Sequence, residues 1–240
     1  MNVKPGVALI VGVLSLGAAA KENREPPPRQ FMGLPLLFVE EFEKPSPERW
    51  APTDPSAWSF IRDGNRSVYA LFKRSDYKPK VRSPEGISVL KDVAVSDFVL
   101  DLWLRSTVKD CPHRDMCVFF GYQDPTHFYY VHFGLRADAA SNTIHIVNAK
   151  PRASIARTRT KGTPWTEGYH HVRIVRKVES GTIEAYFDDM TRPAMTAVDK
   201  TFRWGGVGVG SFDDTGNVDC IRLWGKRVRL PAATTRSAGR

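Results

Sequence analysis

Alternation of apolar and polar residues is the strongest pattern in this chain of 240 residues. In the run DFVLDLWLRS, alternate positions are all apolar: Phe98, Leu100, Leu102 and Leu104. The positions between them mix charge with an aromatic ring: Asp97, Val99, Asp101, Trp103 and Arg105. Successive side chains of a strand point to opposite faces. The run therefore predicts a strand with one face in a core and the other at a surface.

The stretch Cys117–Arg136 extends the same logic, with seven aromatic rings and two histidines around a turn at Gln123–Thr126. Its second half divides into two faces: Phe128, Tyr130 and His132 on one, and His127, Tyr129, Val131 and Phe133 on the other. We expect one face to fill the core. The other is expected to line a hollow that grips a ring-shaped ligand.

Strand-like runs separated by turn residues recur along most of the chain. The predicted strands are Leu37–Phe42, Trp58–Arg62, Ser67–Phe72, Ser88–Leu90, Phe98–Thr107, Val118–Tyr122, His127–Gly134, Thr143–Asn148, Ser154–Ala156, His171–Lys177, Thr182–Phe187, Gly206–Phe212 and Val218–Trp224. Convincing helical periodicity is absent. The sequence therefore predicts an all-β fold, a β-sandwich or jelly roll.

The two ends of the chain depart from this pattern. Residues 1–20 combine Lys4, an apolar run and small residues, the layout of a secretory signal peptide cleaved near Ala20. An uncleaved membrane anchor is the alternative, but the apolar run is shorter than the ~20 residues of a span. We expect a disordered spacer at 21–33, a single jelly-roll domain at 34–229 and a disordered tail at 230–240. The protein is thus predicted to be secreted or periplasmic, without a stable membrane span after cleavage.

Charge and cysteines narrow the function classes. The net charge is +9, but the basic residues are scattered, which indicates nucleic acid only weakly. The export signal argues further against nucleic acid, so the charge favours an anionic partner instead. Three cysteines fit one disulfide, Cys111–Cys117, and a buried thiol at Cys220. Zinc bound by the cysteine pair with His113 is the alternative, although the spacing matches no common zinc motif.

Several runs carry a resemblance to known proteins: FVEEFE, RSPEGI, DFVLDLWLRS, FFGYQDPTHFYYVHF, GYHHVRIVR, GTIEAYFDD and GVGVGSFDDTGNVDCIRLWG. Together they span about Phe38–Gly225. The order resembles the concanavalin A-like jelly roll and, more closely, secreted bacterial 3-keto-disaccharide hydrolase-like domains, relatives of laminin-G domains and family 16 glycoside hydrolases. The resemblance implies a concanavalin A-like β-sandwich and an enzyme that cleaves a keto-sugar glycoside. A saccharide-binding protein and a laminin-G-like module for a protein or envelope partner stay open, because one fold hosts many functions.

Two patterns argue against other chemistries. Asp97 and Asp101 lie roughly 13 Å apart on one strand face at ~3.3 Å per residue, too far for the two carboxylates of an ordinary glycosidase. The glycine-rich run 205–210 lacks the following helix that a nucleotide-binding loop needs. Its small residues are expected to allow close approach of sheet faces or a ligand. No organic cofactor is expected.

One polar set suits the binding of a saccharide or polysaccharide, including an acidic one. Arginine forks donate to sugar hydroxyls or carboxylates, and tyrosine or tryptophan rings stack on sugars. The candidate ligand-binding residues are Arg82, His113, Arg114, Tyr130, Arg152, Trp103 and Arg105. His132 and Asp115 are the candidate catalytic residues, as general bases that remove a proton beside a keto group. The alternatives are binding without catalysis and a purely structural role.

The resemblance also implies a structural calcium ion shared by the first and last strands. Asp219 stands at the matching place in NVDCIRL, and Glu41 is a contributing carboxylate. Calcium takes six to eight oxygen ligands. The alternative is that Asp219 caps a turn.

Overall fold

The computed structural model describes residues 25–109 and 111–229. The predicted signal peptide at 1–20 and tail at 230–240 lie outside the described residues. Within the described ranges, no helix has the length and apolar character of a membrane span.

Seventeen strands and two single-turn 3₁₀ helices, Pro47–Arg49 and Pro55–Ala57, form over the described residues. The strands are β1 (Gln30–Phe31), β2 (Leu34–Glu40), β3 (Trp50–Pro52), β4 (Trp58–Asp63), β5 (Arg66–Leu71), β6 (Gly86–Leu90), β7 (Val95–Ser106), β8 (Asp115–Asp124), β9 (His127–Gly134), β10 (Thr143–Asn148), β11 (Ala153–Ser154), β12 (Ala156–Arg159), β13 (His170–Lys177), β14 (Thr182–Phe187), β15 (Met195–Val198), β16 (Gly206–Ser211) and β17 (Gly216–Arg227). The all-β prediction is confirmed.

The strands form two antiparallel sheets. The larger sheet runs β1-β2-β17-β7-β13-β14-β15-β12, and the hairpin β4–β5 joins it through β17. The smaller sheet has seven strands in the order β11-β10-β9-β8-β16-β6-β3. Strands distant in sequence are neighbours in both sheets, as in a jelly roll.

The core lies between the two sheets. From the larger sheet it receives the predicted apolar face of β7, together with Val172 and Ile174 of β13. The smaller sheet contributes Val118 and Phe120 of β8, with Val131 of β9. All of these side chains are buried. The period-2 pattern of the sequence therefore identified the inward faces correctly.

The segment before β2 is more ordered than predicted. Part of the expected spacer forms β1, which pairs with β2. The Trp224 indole N–H donates to the Pro28 carbonyl at 2.8 Å, and the Phe31 ring lies 5.2 Å from that of Trp224. Proline residues have no backbone N–H to donate, but their carbonyl oxygens can still accept hydrogen bonds. The apolar ring of Phe31 and the Pro28 carbonyl thus give this segment defined contacts with Trp224 of β17.

The predicted Cys111–Cys117 disulfide is wrong, because neither of these cysteines is bonded to another sulfur. Cys117 lies within β8 and points into a cluster with Ile87 and Phe119, whereas Cys111 is half-buried in the preceding loop. Because β8 begins at Asp115, Cys117 is the third residue of the strand. Its side chain therefore lies in this buried cluster and not beside Cys111 in the loop.

Candidate functional site

Strand β9 has two different faces, as predicted, and it directs Tyr130 and His132 away from the core. Tyr129, Val131 and Phe133 point into the core between the sheets. Phe128 and Tyr130 belong to a separate buried cluster on the outer face of the smaller sheet. His132 shares that outer face because side chains alternate along the strand.

This outer face is covered, which corrects the expectation of an open, ring-lined hollow. The side chains of Phe119, Phe128 and Tyr130 have no exposed surface. The Phe119 ring centroid lies 5.9 Å from Phe128 and 5.7 Å from Tyr130. Val81, from the long segment between β5 and β6, packs against this cluster. Because these rings pack against one another and Val81 covers them, none of them is accessible for stacking on a sugar at the centre of this face.

A buried polar cluster lies beside these rings. Cys117 of β8 is directly opposite His132 of β9, and Asp115 is two residues away on the same face of β8. His132 Nε2 lies 3.1 Å from Asp115 Oδ2, and His132 Nδ1 lies 2.8 Å from the Ala140 carbonyl oxygen. Asp115 Oδ1 accepts from the Ser211 hydroxyl at 2.8 Å. The register of one strand pair thus brings together the two predicted catalytic residues.

The charges of this cluster are coupled. Burial is the largest effect on Asp115 and raises its pKa, but the charge of His132 and the hydrogen bonds from Ser211 and the Phe212 amide together lower it. Burial is also the largest effect on His132 and lowers its pKa, but Asp115 and the Ala140 carbonyl together raise it. Burial and the nearby Asp115 carboxylate raise the pKa of Asp214 to about 6. The arrangement holds one charged pair below the surface and a second carboxyl group that titrates near neutrality.

His145 of β10 is buried beside Tyr130 and His132. Its ring stacks on Tyr130, with 4.7 Å between centroids. Burial, with the nearby charges of His132 and Arg152, lowers the pKa of His145 to about 2. This histidine was not predicted, although its place between two isoleucines in TIHIVN was a usable signal.

Two arginines and an aromatic ring form the accessible rim of the site. The Arg152 guanidinium carbon lies 3.9 Å from the Phe212 ring centroid, and that of Arg82 lies 5.8 Å from it. Arg152 Nη1 also donates to the Tyr130 hydroxyl at 3.2 Å. Arg82 is exposed, whereas Arg152, Phe212 and Asp214 are half-buried. We call Arg82, Arg152 and Phe212 the arginine rim. Tyr130 and His132 lie close to this rim, with the His132 ring centroid 6.2 Å from that of Phe212.

Two other predicted ligands do not reach this site. Arg114 is 2% exposed, and its guanidinium donates to the carbonyls of Ser106 and Thr166. His113 is exposed, with its Nε2 3.0 Å from Asp138 Oδ2. Alternation explains the difference, since Arg114 points to the face of β8 opposite Asp115. Arg114 therefore joins strand and loop backbones instead of presenting donors to a ligand.

Trp103 and Arg105 lie on the outer face of the larger sheet, away from the arginine rim. The Trp103 ring stacks on His171, with 4.3 Å between centroids and 3° between planes. Arg105 Nη1 contacts both carboxylate oxygens of Asp63 at 2.7 Å. These residues cannot share one ligand with His132, because β7 and β9 belong to opposite sheets. They form part of a separate charged surface.

That charged surface makes acid stability testable at Asp101. The carboxylate receives two hydrogen bonds of 2.6 Å from Arg173. Burial would raise the pKa of Asp101, but the bonds from Arg173 and His171 outweigh it and lower the pKa. A lowered folded-state pKa stabilises the fold above the unfolded value of about 3.9, and this contribution is lost as the pH falls through the folded value.

We expect Asp101→Asn to lower the free energy of unfolding at pH 7 by about 2 kcal/mol, since it removes a charge-assisted pair. Urea unfolding from pH 7 to pH 2.5 measures the difference from wild type, which should shrink below about pH 4. Asp76→Asn, at an exposed carboxylate, is the matched control. A difference independent of pH would contradict the electrostatic explanation.

The predicted calcium ligands have other contacts. Arg66 Nη1 donates to Asp219 Oδ2 at 2.7 Å, and the Cys220 thiol lies 3.5 Å from Glu41 Oε1. Within residues 25–109 and 111–229, one group of three metal-ligating side chains converges, and it contains neither Asp219 nor Glu41. Calcium at Asp219 stays a prediction, and the arginine partner argues against it.

A cavity of about 510 Å³ opens at another place, between the edge strands β3 and β4. Trp50, Trp58, Phe60 and Tyr69 line it, and Lys91 is its one charged lining residue. It offers aromatic surface but few partners for hydroxyl or carboxylate groups. The arginine rim has the denser set of polar groups.

No protein-family model and no curated protein matches this chain. Several solved structures, in contrast, match this chain. Carbohydrate-binding module 66 from Bacillus subtilis is 14% identical with a TM-score of 0.52, and the match covers 71% of this chain and 92% of that chain. A GH43 protein from Bacillus licheniformis is 11% identical with a TM-score of 0.55, over 78% of this chain and 39% of that chain. Winged bean acidic lectin is 12% identical with a TM-score of 0.49, over 80% and 98%. The fold is a β-sandwich of the jelly-roll type. At these identities the likeness concerns the fold alone.

Proposed function

We propose that this protein is an exported saccharide-binding jelly roll that holds an acidic sugar at the arginine rim. The observation that carries the proposal is the pair of guanidinium groups beside the half-buried Phe212 ring. Guanidinium groups bind carboxylates with two parallel hydrogen bonds, and an aromatic ring offers apolar surface to a sugar. Residues 1–20, with the pattern of a signal peptide, support export.

The contacts of the two arginines support this proposal. A guanidinium group carries five N–H donors. Among the described residues, the Arg152 side chain makes one hydrogen bond, to the Tyr130 hydroxyl. The Arg82 side chain is exposed beside it, and the Arg152 amide donates to the Arg82 carbonyl at 2.9 Å. That backbone bond fixes the spacing of the two side chains, so most of their donors stay available to one ligand.

The similar fold of carbohydrate-binding module 66 supports a binding role, and the burial of the two candidate bases argues against catalysis. Proton abstraction needs a base within reach of the substrate. The side chains of His132 and Asp115 are 5% and 2% exposed, beneath the rim. Catalysis by these residues, as the resemblance to 3-keto-disaccharide hydrolase-like domains implies, stays a prediction that requires movement of the covering segment.

A glycan array with neutral and uronic-acid-containing oligosaccharides, followed by calorimetric titration, tests the proposal. We expect Arg152→Ala to weaken binding of an acidic oligosaccharide about 10- to 100-fold, since a charge-assisted hydrogen bond is worth about 1.5–3 kcal/mol. Arg82→Ala should act in the same direction. Arg157→Ala, at an exposed arginine of β12, is the matched control.

Each outcome has a defined meaning. Unchanged affinity in both rim variants would place the ligand elsewhere and refute the proposed site. New sugar products on incubation would favour the hydrolase alternative, whereas retention of intact sugar favours a binding protein. Absence of glycan binding would favour a laminin-G-like module with a protein partner.

A further inference from the structure

Three side chains beneath the arginine rim have the donor set of a transition-metal site. Asp115, Cys117 and His132 each offer one ligand atom, and these atoms all lie within 4.8 Å of one another. The three residues are 1%, 0% and 4% exposed. We propose that Asp115, Cys117 and His132 bind a zinc-class divalent metal ion. This inference is independent of saccharide binding.

The contacts of His132 give the first argument. Its Nδ1 faces the Ala140 carbonyl at 2.8 Å, and because a carbonyl only accepts, Nδ1 carries the proton. The same contact to a backbone carbonyl orients metal-binding histidines and leaves Nε2 as the ligand atom. Nε2 then lies 3.1 Å from the carboxylate oxygen Oδ2 of Asp115. The cation that this pair requires is either a proton on Nε2 or a bound metal ion.

The direction of Nε2 distinguishes a metal from a proton. Nε2 is buried and lies 3.1 Å from Asp115 Oδ2, but its direction does not meet hydrogen-bond geometry, and it has no hydrogen-bond partner among the described residues. A proton shared by this pair would require that alignment. A metal ion, which sits off the line between its ligands, does not.

The ligand spacing gives the second argument. Zinc binds sulfur at about 2.3 Å and nitrogen or carboxylate oxygen at about 2.0–2.2 Å, so neighbouring ligand atoms of a tetrahedron lie about 3.3–3.8 Å apart. Cys117 Sγ lies 3.6 Å from Asp115 Oδ1, within this range, and His132 Nε2 lies 3.1 Å from the other oxygen, Oδ2, slightly below it. Thiolate with imidazole and carboxylate favours zinc, whereas calcium takes oxygen ligands.

Ion binding requires a proton balance. His132 binds through the lone pair of Nε2, so a proton on Nε2 leaves to solvent while the Nδ1 proton stays. Cys117 loses its thiol proton to solvent, since a coordinating thiol is deprotonated. A thiolate-to-metal charge-transfer band therefore reports the bound metal directly.

Titration of the purified full chain with Co²⁺ alone, and then with Zn²⁺, tests the site. We expect one equivalent of Co²⁺ to give tetrahedral visible bands and a thiolate-to-cobalt charge-transfer band, with Zn²⁺ displacing it. Cys117→Ser should abolish the charge-transfer band, and His132→Gln should weaken binding at least tenfold. Cys220→Ser and His113→Gln, a buried thiol and an exposed imidazole outside the group, are the matched controls and should retain both.

Zinc-edge X-ray absorption on the wild-type chain covers the case in which the variants fail to fold. One sulfur at about 2.3 Å with nitrogen and oxygen neighbours supports the proposal. A zinc shell without sulfur, no stoichiometric uptake of either metal, or equal loss of binding in the control variants would overturn it. In the last two cases the pair is an imidazolium–carboxylate pair without metal.

Discussion

Replacing Arg114 by alanine should lower the free energy of unfolding by about 3–5 kcal/mol, the range for breaking a buried, charge-bearing contact set. The guanidinium is buried and donates from Nη2 to Ser106 at 3.0 Å and to Thr166 at 2.7 Å. Alanine would leave both carbonyls without this donor and open a cavity of the size of the side chain. The hydrogen bonds that link the end of β7 to the loop before β13 through Arg114 would be lost.

Urea unfolding of Arg114→Ala against wild type measures this loss. His113→Ala is the matched control, because the neighbouring side chain is exposed and should change stability by less than about 0.5 kcal/mol. A second readout separates structure from recognition: folded Arg114→Ala should keep its affinity for an acidic oligosaccharide. Near wild-type stability, or lost affinity in the folded variant, would contradict the structural role.

Arg114 shows where sequence reasoning fails. In CPHRDM the arginine stands in a polar run beside Asp115, which gives no sign that its side chain is buried. Only the start of β8 at Asp115 shows that the two neighbours point to opposite faces. If the predicted start of a strand is wrong by one residue, each side chain is assigned to the wrong face. A charged side chain that holds backbone segments together can then be mistaken for a ligand-binding residue.

The faces of strands, by contrast, were predictable. Apolar alternation identified the core face of β7 and the split of β9, and the strands at His127–Gly134, Thr143–Asn148 and Thr182–Phe187 have the predicted bounds. Which strands are neighbours was not predictable, because pairing depends on contacts between residues distant in the chain. Trp103 therefore fell on the other sheet from His132.

The covering of the outer face had no sequence signal either. Alternation predicts that the two faces of β9 differ, and it cannot tell whether the second face meets solvent or another segment. The segment between β5 and β6 has no strand or helix pattern, yet its Val81 packs on the cluster that includes Tyr130. Its Arg82 then stands at the rim, which places the accessible chemistry at the edge of the covered face.

The glycine-rich run 205–210 gives the second large effect, at Gly205. Its backbone exchanges two hydrogen bonds with Val95, at 2.9 Å and 3.1 Å, and so joins β7 of the larger sheet to the segment that enters β16 of the smaller sheet. A Cβ at Gly205 would lie 2.1 Å from the Gly121 carbonyl carbon and 2.4 Å from the Tyr122 nitrogen. Backbone on both sides cannot give way as a flexible side chain can.

We expect Gly205→Ala to lower the free energy of unfolding by about 3 kcal/mol or more, since relief of the overlap must separate backbones that hydrogen bonds hold together. Chemical denaturation and the yield of folded protein measure the effect. Gly168→Ala is the matched control, because its Cβ would meet only the Thr166 hydroxyl at 3.5 Å, an ordinary contact. If Gly205→Ala unfolded within about 1 kcal/mol of wild type, the close approach would not limit this position. A large loss at Gly205 and none at Gly168 would mean that position 205 must be glycine because the two sheets join there.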